Sequence, residues 1–195
     1  MQTLIELLAG AIWFIFPAYV ANSIPVDVSK LKLLEKYGKP IDGGRTLNGR
    51  RILGDGKTWR GLFSGIIAGT LFGGLQAMVA PSLNGGSQYL PELTLTLAFM
   101  LATGALLGDM TASFIKRRIN LRPGQPAPLM DQLDFVAGAL FFAWIWTSVS
   151  QGTTANALEN MIGYPRLAVI IIMTPFVHLL GNFIAWAWKL KKNPW

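Results

Sequence analysis

Long apolar segments alternate with polar connections along the chain, and five of them approach the length of a helix that crosses a bilayer. Such a helix needs about 20 consecutive, mostly apolar residues. The five segments cover about residues 3–20, 62–80, 93–108, 135–149 and 167–190. This pattern predicts an all-α integral membrane protein with five transmembrane helices, built as a single membrane domain over residues 1–195.

The composition favours the same class of protein. Hydrophobic residues make up 52% of the chain and charged residues only 14%, whereas soluble domains carry about 25% charged residues. The chain has no cysteine and a single histidine, which excludes disulfides, thiolate nucleophiles and a Cys/His zinc site. A bound metal would therefore have oxygen ligands, and this donor type suits Mg²⁺.

The basic residues are concentrated in alternate connections between the predicted helices. Apart from Arg166, every lysine and arginine lies in residues 21–61, in residues 109–134 or in the C-terminal tail. The positive-inside rule assigns these segments to the cytoplasm. We therefore predict a multi-pass protein of the cell membrane with its N-terminus outside, its C-terminus in the cytoplasm and two functional cytoplasmic loops, about 21–61 and 109–134. Topology accounts for the net charge of +7 without a nucleic-acid partner.

Aspartates lie at both ends of the second cytoplasmic loop. Asp109 is at the inner end of the third span, and Asp131 and Asp134 are spaced i, i+3 at the entry to the fourth. If the third helix continues beyond Asp109, its face carries further polar residues, namely Ser113, Lys116 and Arg117. An ionised aspartate at the apolar boundary is costly unless it is paired or binds a metal. We expect the three carboxylates to converge and to hold Mg²⁺ beside a phosphate.

The first cytoplasmic loop contains a Gly-Lys-Thr triplet at residues 56–58. A P-loop would need a glycine five positions before Gly56, but Arg51 occupies that position and no strand is predicted before it. The segment still brings glycine amides, a lysine and a hydroxyl together, and these groups suit phosphate binding. Because both loops are predicted on the cytoplasmic face, they can meet.

Together these segments resemble the CDP-diglyceride synthetases, a family of membrane cytidylyltransferases. The matching residues are Gly108, Asp109, Ser113, Lys116, Arg117, Pro123, Gly124, Asp131 and Asp134. The chain departs from the family at residues 125–127, Gln-Pro-Ala in place of His-Gly-Gly, and at Gln132 in place of arginine; a Lys-Asp pair before the Pro-Gly is also absent. The five-span architecture and residues 19–25 and 38–61 look more like the archaeal branch, the CDP-archaeol synthases.

The resemblance implies a reaction and a set of site residues. The archaeal branch joins CTP to a polyprenyl-glyceryl phosphate, the unsaturated digeranylgeranylglyceryl phosphate, giving CDP-archaeol and pyrophosphate. It implies that Asp109, Asp131 and Asp134 hold Mg²⁺ and, with Lys116, form the catalytic set. The implied CTP-binding residues are Gly54, Gly56, Lys57, Thr58, Arg51, Ser113, Arg117, Asn22 and Ser23. Among these, the glycine amides, the lysine and the threonine would grip the β- and γ-phosphates, and Asn22 and Ser23 would contact the cytosine or ribose.

Other interpretations remain open from the residues alone. A CDP-diacylglycerol synthase would use an ester lipid, and a small membrane transporter would place ionisable residues near mid-bilayer. Here the polar residues inside the spans include His178 and Asn182, for which interhelical hydrogen bonding is the favoured interpretation. Arg118 is explained equally well by positive-inside anchoring and by substrate binding.

Overall fold

The computed structural model of the protein describes residues 3–85, 89–122, 125–152 and 157–188. Its elements are α1 (Leu4–Val28), a 3₁₀ helix (Lys32–Tyr37), β1 (Thr46–Leu47), β2 (Arg50–Arg51), α2 (Trp59–Asn84), α3 (Leu95–Arg118), α4 (Met130–Gln151), α5 (Ala157–Met161) and α6 (Tyr164–Ala187). Five of these helices, α1, α2, α3, α4 and α6, are long and apolar enough to cross a membrane. This confirms the prediction of a helical membrane protein with five spans.

The helices extend further into polar sequence than hydropathy predicts. Helix α1 continues past residue 20 to Val28, so Asn22 and Ser23 lie on a helix and not in a loop. Helix α3 continues to Arg118, so residues 109–118, which were predicted as the start of the second loop, are helical. Hydropathy detects only the part of a helix that lies in hydrocarbon, so it misses turns that reach the headgroup region. The predicted end of the fifth span at residue 190 and the basic C-terminal tail lie outside the described residues.

A stripe of glycines on α2 sets the packing of the first three helices. Gly61, Gly65, Gly69 and Gly73 recur every four residues and are buried. A Cβ added at Gly69 would lie 2.6 Å from the carbonyl oxygen of Pro17 on α1 and 2.7 Å from the Cβ of Ala102 on α3. Small residues let membrane helices approach closely enough for backbone contact. The glycine stripe is therefore the face of α2 that packs against α1 and α3.

A second close contact joins α3 to α4. A Cβ added at Gly138 would collide with the backbone of Gly104 and Gly108, and one added at Gly108 would collide with the carbonyl oxygen of Asp134. The two helices therefore touch backbone to backbone just before Asp109 in the sequence. This contact places Asp109 and Asp134 on adjoining turns of the two helices, although 25 positions separate them in the sequence.

Gly138→Ala should be strongly destabilising, since the added methyl would force the α3 and α4 backbones apart. Overpacking of this kind costs about 1–3 kcal/mol, so we expect a clear fall in the midpoint of thermal unfolding in detergent. Gly74→Ala on α2 is the matched control. A Cβ there meets only the flexible Leu95 side chain, at 3.0 Å. Equal midpoints for the two variants would contradict the proposed backbone contact.

The segment between α1 and α2 contains a small antiparallel hairpin that was not predicted from the sequence. Thr46 pairs with Arg51 and Leu47 with Arg50. The turn residues are Asn48 and Gly49, with φ of 52° and 73°. Positive φ at both central residues is typical of a two-residue hairpin turn, and Asn-Gly is its preferred sequence. The turn could therefore have been recognised from the dipeptide.

Candidate functional site

A cavity of about 870 Å³ lies among α1, the segment between α1 and α2, the start of α2, and helices α3, α4 and α6. One part of its wall is polar and includes Gly56, Lys57, Thr58, Arg60 and Asp109. Another part is apolar, with side chains such as Phe16, Leu106 and Val177 from three different helices. A cavity with these two surfaces can accept a molecule that has both a charged and a hydrocarbon portion.

Lys57 and Asp109 form an ion pair in the polar part of the cavity. The Lys57 Nζ lies 2.5 Å from Asp109 Oδ2, and each side chain is 24% exposed. Lys57 comes from the segment between α1 and α2 and Asp109 from α3, so this contact shows that the two predicted loop regions meet. It places a cation and a carboxylate together on the wall of one cavity.

The N-terminus of α2 also faces this region. Thr58 is the N-cap residue, and its Oγ1 accepts a hydrogen bond from the amide of Gly61 at 3.1 Å. The hydroxyl therefore stabilises the first turn of the helix, which gives Thr58 a structural task besides its place in the cavity wall. A helix N-terminus attracts negative charge because its first amide N–H groups are unpaired and the positive end of the helix dipole lies there.

Asp42, which the sequence analysis did not single out, organises residues 42–58, a segment that we call the glycine–lysine loop. Its side chain is 1% exposed, and it accepts hydrogen bonds from the amides of Gly44, Leu53 and Gly54 and from Nε and Nη2 of Arg51. The Arg51 guanidinium and, with a smaller effect, the three amides hold the pKa of Asp42 well below its usual range. The two glycines that follow Asp42 both have positive φ, so the Asp-Gly-Gly turn was the available signal in the sequence.

This network changes the roles expected for two predicted phosphate ligands. Arg51 donates to the buried Asp42 and also to Asp55 at 2.6 Å. The Gly54 amide donates to Asp42 Oδ2 at 3.0 Å. In this structure, therefore, both groups hold the loop together, whereas Gly56 and Lys57 lie on the cavity wall.

Asp42→Asn should loosen the glycine–lysine loop, because an amide offers one acceptor oxygen where the carboxylate offers two. We expect exchange of the Leu53 and Gly54 amide hydrogens to quicken by about tenfold or more. Asp55→Asn should have a much smaller effect on the same amides, since Asp55 shares Arg51 but is 82% exposed. Similar exchange rates in the two variants would contradict the role assigned to Asp42.

The same network has a defined pH dependence. Because the folded pKa of Asp42 is lowered, its stabilisation is fully present above the unfolded value of about 3.9 and is lost as pH falls below it. Protection of the Leu53 and Gly54 amides, corrected for intrinsic exchange, should therefore stay constant from neutral pH down to about pH 5.

The three predicted metal carboxylates lie in one region but do not converge on one point. Asp131 is engaged on both oxygens, by Lys116 Nζ at 2.5 Å and by the Ala127 amide at 2.8 Å. Asp134 Oδ1 accepts a hydrogen bond from the amide of Phe135 at 2.6 Å. Within the described part of the chain, no group of three or more acidic or histidine side chains is arranged to hold one metal ion. A single three-carboxylate cluster is therefore not the arrangement in this structure.

A smaller donor set still suits Mg²⁺. Asp109 and Asp134 lie on adjoining turns of α3 and α4, and each supplies carboxylate oxygens. Mg²⁺ is commonly bound through one or two carboxylates together with substrate phosphates. The donor chemistry of this pair therefore fits the ion, whereas Asp131 is occupied in joining α3 to α4.

Two further predicted residues are buried in the protein and are not among the described residues of the cavity wall. Ser113 and Arg117 on α3 are both buried, and Arg117 Nη2 donates to the carbonyl of Arg122 at 3.2 Å. Pro123 and Gly124, which belong to the matching motif, lie outside the described residues. In this structure, therefore, Arg117 holds the start of the second loop through the carbonyl of Arg122.

Helices α1 and α6 contribute cavity residues, only some of which were predicted. Asn22 and Ser23 line the cavity, as expected for substrate-binding residues. His178 and Asn182, assigned from the sequence to interhelical hydrogen bonding, also lie on its wall, and Asn182 Nδ2 is 3.3 Å from His178 Nδ1. Tyr19 joins the two helices through a 2.9 Å hydrogen bond to Thr174. The i, i+4 spacing of His178 and Asn182 indicated a shared face but not what that face meets.

Comparison with known proteins gives a consistent result over nearly the whole chain. The sequence model of a CarS-like family, described as CDP-archaeol synthase, matches residues 4–195. A CDP-archaeol synthase from Thermococcus kodakarensis is 41% identical over 186 residues, covering 95% of each chain. One from Methanosarcina acetivorans is 44% identical over 193 residues, covering 92% of this chain and 99% of that one.

A solved structure is also similar. It is described as that of an intramembrane enzyme for archaeal membrane lipid biosynthesis, and it is 35% identical in sequence. It superposes with a TM-score of 0.63 over 88% of this chain and 92% of that one. With its five apolar helices and a cavity that has charged and hydrocarbon surfaces, the chain belongs to the CDP-archaeol synthase family of membrane cytidylyltransferases.

Proposed function

We propose that the cavity binds CTP at its polar end and an unsaturated archaeal ether-lipid phosphate along its apolar wall, and that it joins the two into CDP-archaeol with release of pyrophosphate. The observation that carries this proposal is the Lys57–Asp109 ion pair, which lies on the wall of a cavity that also has apolar sides. Family membership indicates the reaction class. The Lys57–Asp109 pair marks where the CTP triphosphate would bind.

The reaction needs a positioned nucleophile and neutralised charge. An oxygen of the lipid phosphate forms a bond to the α-phosphorus of CTP, and the bond from that phosphorus to the β-phosphate bridging oxygen breaks, so pyrophosphate leaves with the electron pair. Both reactants are anions, so they repel each other until cations lie between them. For phosphoryl-type transfer, catalysis consists mainly of positioning and electrostatic stabilisation.

Lys57 is suited to hold the triphosphate because it lies next to the α2 N-terminus. A lysine and a helix N-terminus both attract phosphate oxygens. Lys57 would exchange its carboxylate partner for a β- or γ-phosphate oxygen when CTP enters, and Gly56 would allow the backbone to approach. Arg60 lies on the same wall and would neutralise further charge.

Asp109 and Asp134 are the residues that we assign to Mg²⁺, with the ion completing its ligands from the CTP phosphates. Such an ion, when bound, neutralises charge on the phosphates and orients them. Asp131, predicted as a third ligand, would act indirectly by holding Lys116 and the start of α4. Lys116 would therefore contribute to the positive field around the site.

We assign this chemistry to the inner leaflet of the cell membrane. Both loops that meet at the Lys57–Asp109 pair are rich in basic residues, which favours a cytoplasmic location. The N-terminus would then lie outside. CTP would enter from the cytoplasm, while the lipid phosphate would remain with its chains in the bilayer.

An assay of pyrophosphate release by the purified protein in detergent tests this function directly. Pyrophosphate release would be followed with CTP, Mg²⁺ and either the unsaturated ether-lipid phosphate or a diacyl phosphatidic acid of similar chain length. We expect rapid release with the ether lipid and much slower release with the diacyl acceptor. Faster turnover of the diacyl acceptor would favour a CDP-diacylglycerol synthase, and no CTP-dependent release with either lipid would overturn the proposal.

A further inference from the structure

We propose that Arg118, at the end of α3, is a positioning residue that docks the glycine–lysine loop and thereby sets the affinity for CTP. The effect on CTP rests on the proposed function, whereas the docking itself does not. Arg118 is not among the described residues that line the cavity. It would act entirely through the backbone segments that it holds.

The guanidinium of Arg118 binds several carbonyl oxygens of the hairpin at once. Its Nη1 donates to the carbonyl of Leu47 at 2.7 Å, and its Nη2 donates to the carbonyls of Arg50 at 3.2 Å and Arg51 at 2.7 Å. These acceptors lie on both strands of the hairpin. A single side chain on α3 therefore holds both strands, and the sequence separation of 67 to 71 residues makes this a tertiary contact.

The contact is reciprocal and is supported by a neighbouring ring. Arg50 Nη1 donates to the carbonyl of Arg118 at 3.0 Å. This carbonyl belongs to the last turn of α3, where the helix offers no partner for it. The Arg118 guanidinium also lies over the Phe114 ring, 5.2 Å from its centroid. These contacts restrict the guanidinium to the orientation in which it faces the hairpin.

The docking reaches the cavity through a connected series of hydrogen bonds. Arg118 holds the backbone of Arg51, whose side chain binds Asp42. Asp42 in turn accepts from the amides of Leu53 and Gly54. Lys57 follows three residues later and returns to α3 at Asp109.

The loop is thus attached to α3 at two points, Asp109 and Arg118. These residues are nine positions apart on one continuous helix, or about 13 Å at 1.5 Å per residue. Only the Asp109 attachment has to break when Lys57 moves to a phosphate. The Arg118 attachment can persist, and it would keep the Gly56–Lys57 segment over the cavity during that exchange.

Arginine is required for this task by its geometry. A guanidinium presents several donors in a fixed plane, whereas a lysine ammonium is a single point on a flexible stem. One Nζ cannot reach three carbonyls that are spread over two strands. Charge alone would therefore be insufficient, and Arg118→Lys distinguishes docking from positive-inside anchoring.

The experiment compares Arg118→Lys and Arg118→Ala with wild type and with Arg45→Ala in detergent. Arg45 is an exposed cation of the same loop, and within the described residues its side chain makes no hydrogen bond or ion pair. Two quantities are measured: hydrogen exchange at the Leu53 and Gly54 amides without ligand, and the Kd for CTP with Mg²⁺. The KM values for CTP and for the lipid phosphate are measured alongside.

In both Arg118 variants, the Leu53 and Gly54 amide hydrogens should exchange faster than in wild type. The Kd for CTP should rise by about tenfold or more, while the KM for the lipid phosphate should change little. Arg45→Ala should remain within about twofold of wild type in each quantity. The inference would be overturned if Arg118→Lys matched wild type in amide exchange and CTP affinity. It would also be overturned if the Arg118 variants matched Arg45→Ala in both quantities. Faster exchange in the Arg118 variants together with no CTP binding by wild type would uphold the docking and overturn the proposed function.

Discussion

Asp109→Asn is expected to lower turnover by about a hundredfold or more, which is the scale seen when a preorganised charged or polar group is removed from an active site. The substitution keeps the shape of the side chain but removes its charge. The site would then lose one of the two carboxylates assigned to Mg²⁺, and half-maximal activity should need more of the ion. Steady-state pyrophosphate release over a Mg²⁺ titration measures both effects.

Binding measurements separate this role of Asp109 from a general loss of structure. Without Mg²⁺, the variant should bind CTP at least as tightly as wild type, because Lys57 no longer has to leave a carboxylate 2.5 Å away and one negative charge is gone. The control is Glu35→Gln, which changes an exposed acid in the segment between α1 and α2 and should retain activity. Full turnover by Asp109→Asn would overturn the site assignment.

Lys57→Met is expected to raise the Kd and the KM for CTP by roughly tenfold to a hundredfold, the range for one lost hydrogen bond to a charged group. Methionine has nearly the same length and can cover the same apolar surface. The KM for the lipid phosphate should change little, since we assign Lys57 to the β- and γ-phosphates of CTP.

Two comparisons make this prediction specific to Lys57. Lys39→Met removes the same charge from the same loop at an exposed position whose side chain makes no hydrogen bond, ion pair or ring contact with the described residues, so its KM for CTP should stay near that of wild type. Lys57→Met and Asp109→Asn should also differ in CTP binding without Mg²⁺. The first should bind CTP more weakly than wild type, and the second at least as tightly. Parallel losses in both variants would contradict the proposed exchange of partners.

Much of the architecture could be predicted from the sequence because each membrane helix must satisfy the bilayer on its own. Length and hydropathy are local properties, and they were enough to predict five spans. The meeting of the two loops followed from charge placement. The ends of the helices were less predictable, since hydropathy falls where a helix leaves the hydrocarbon even when the helix itself continues into the headgroup region.

The candidate site was only partly predictable, because residue type indicates capability and not the partner that a side chain meets. Lys57, Gly56, Thr58, Asn22 and Ser23 were identified from the sequence, and they line the cavity. Gly54 and Arg51 have suitable chemistry for phosphate, yet Asp42 engages both of them. Asp131 has suitable chemistry for a metal, yet Lys116 and a backbone amide occupy its oxygens.

The membrane class, the number of spans and the family could all be read from the order of residues along the chain, since each depends on segments of at most a few tens of residues or on their spacing. The role of each charged residue depended on contacts between residues far apart in the sequence. Asp42 and Arg51 are 9 positions apart, and Arg118 and Leu47 are 71 positions apart. The chemistry of a carboxylate or a guanidinium is the same wherever it occurs. Its role is decided by which donors and acceptors the folded backbone brings within about 3 Å of it.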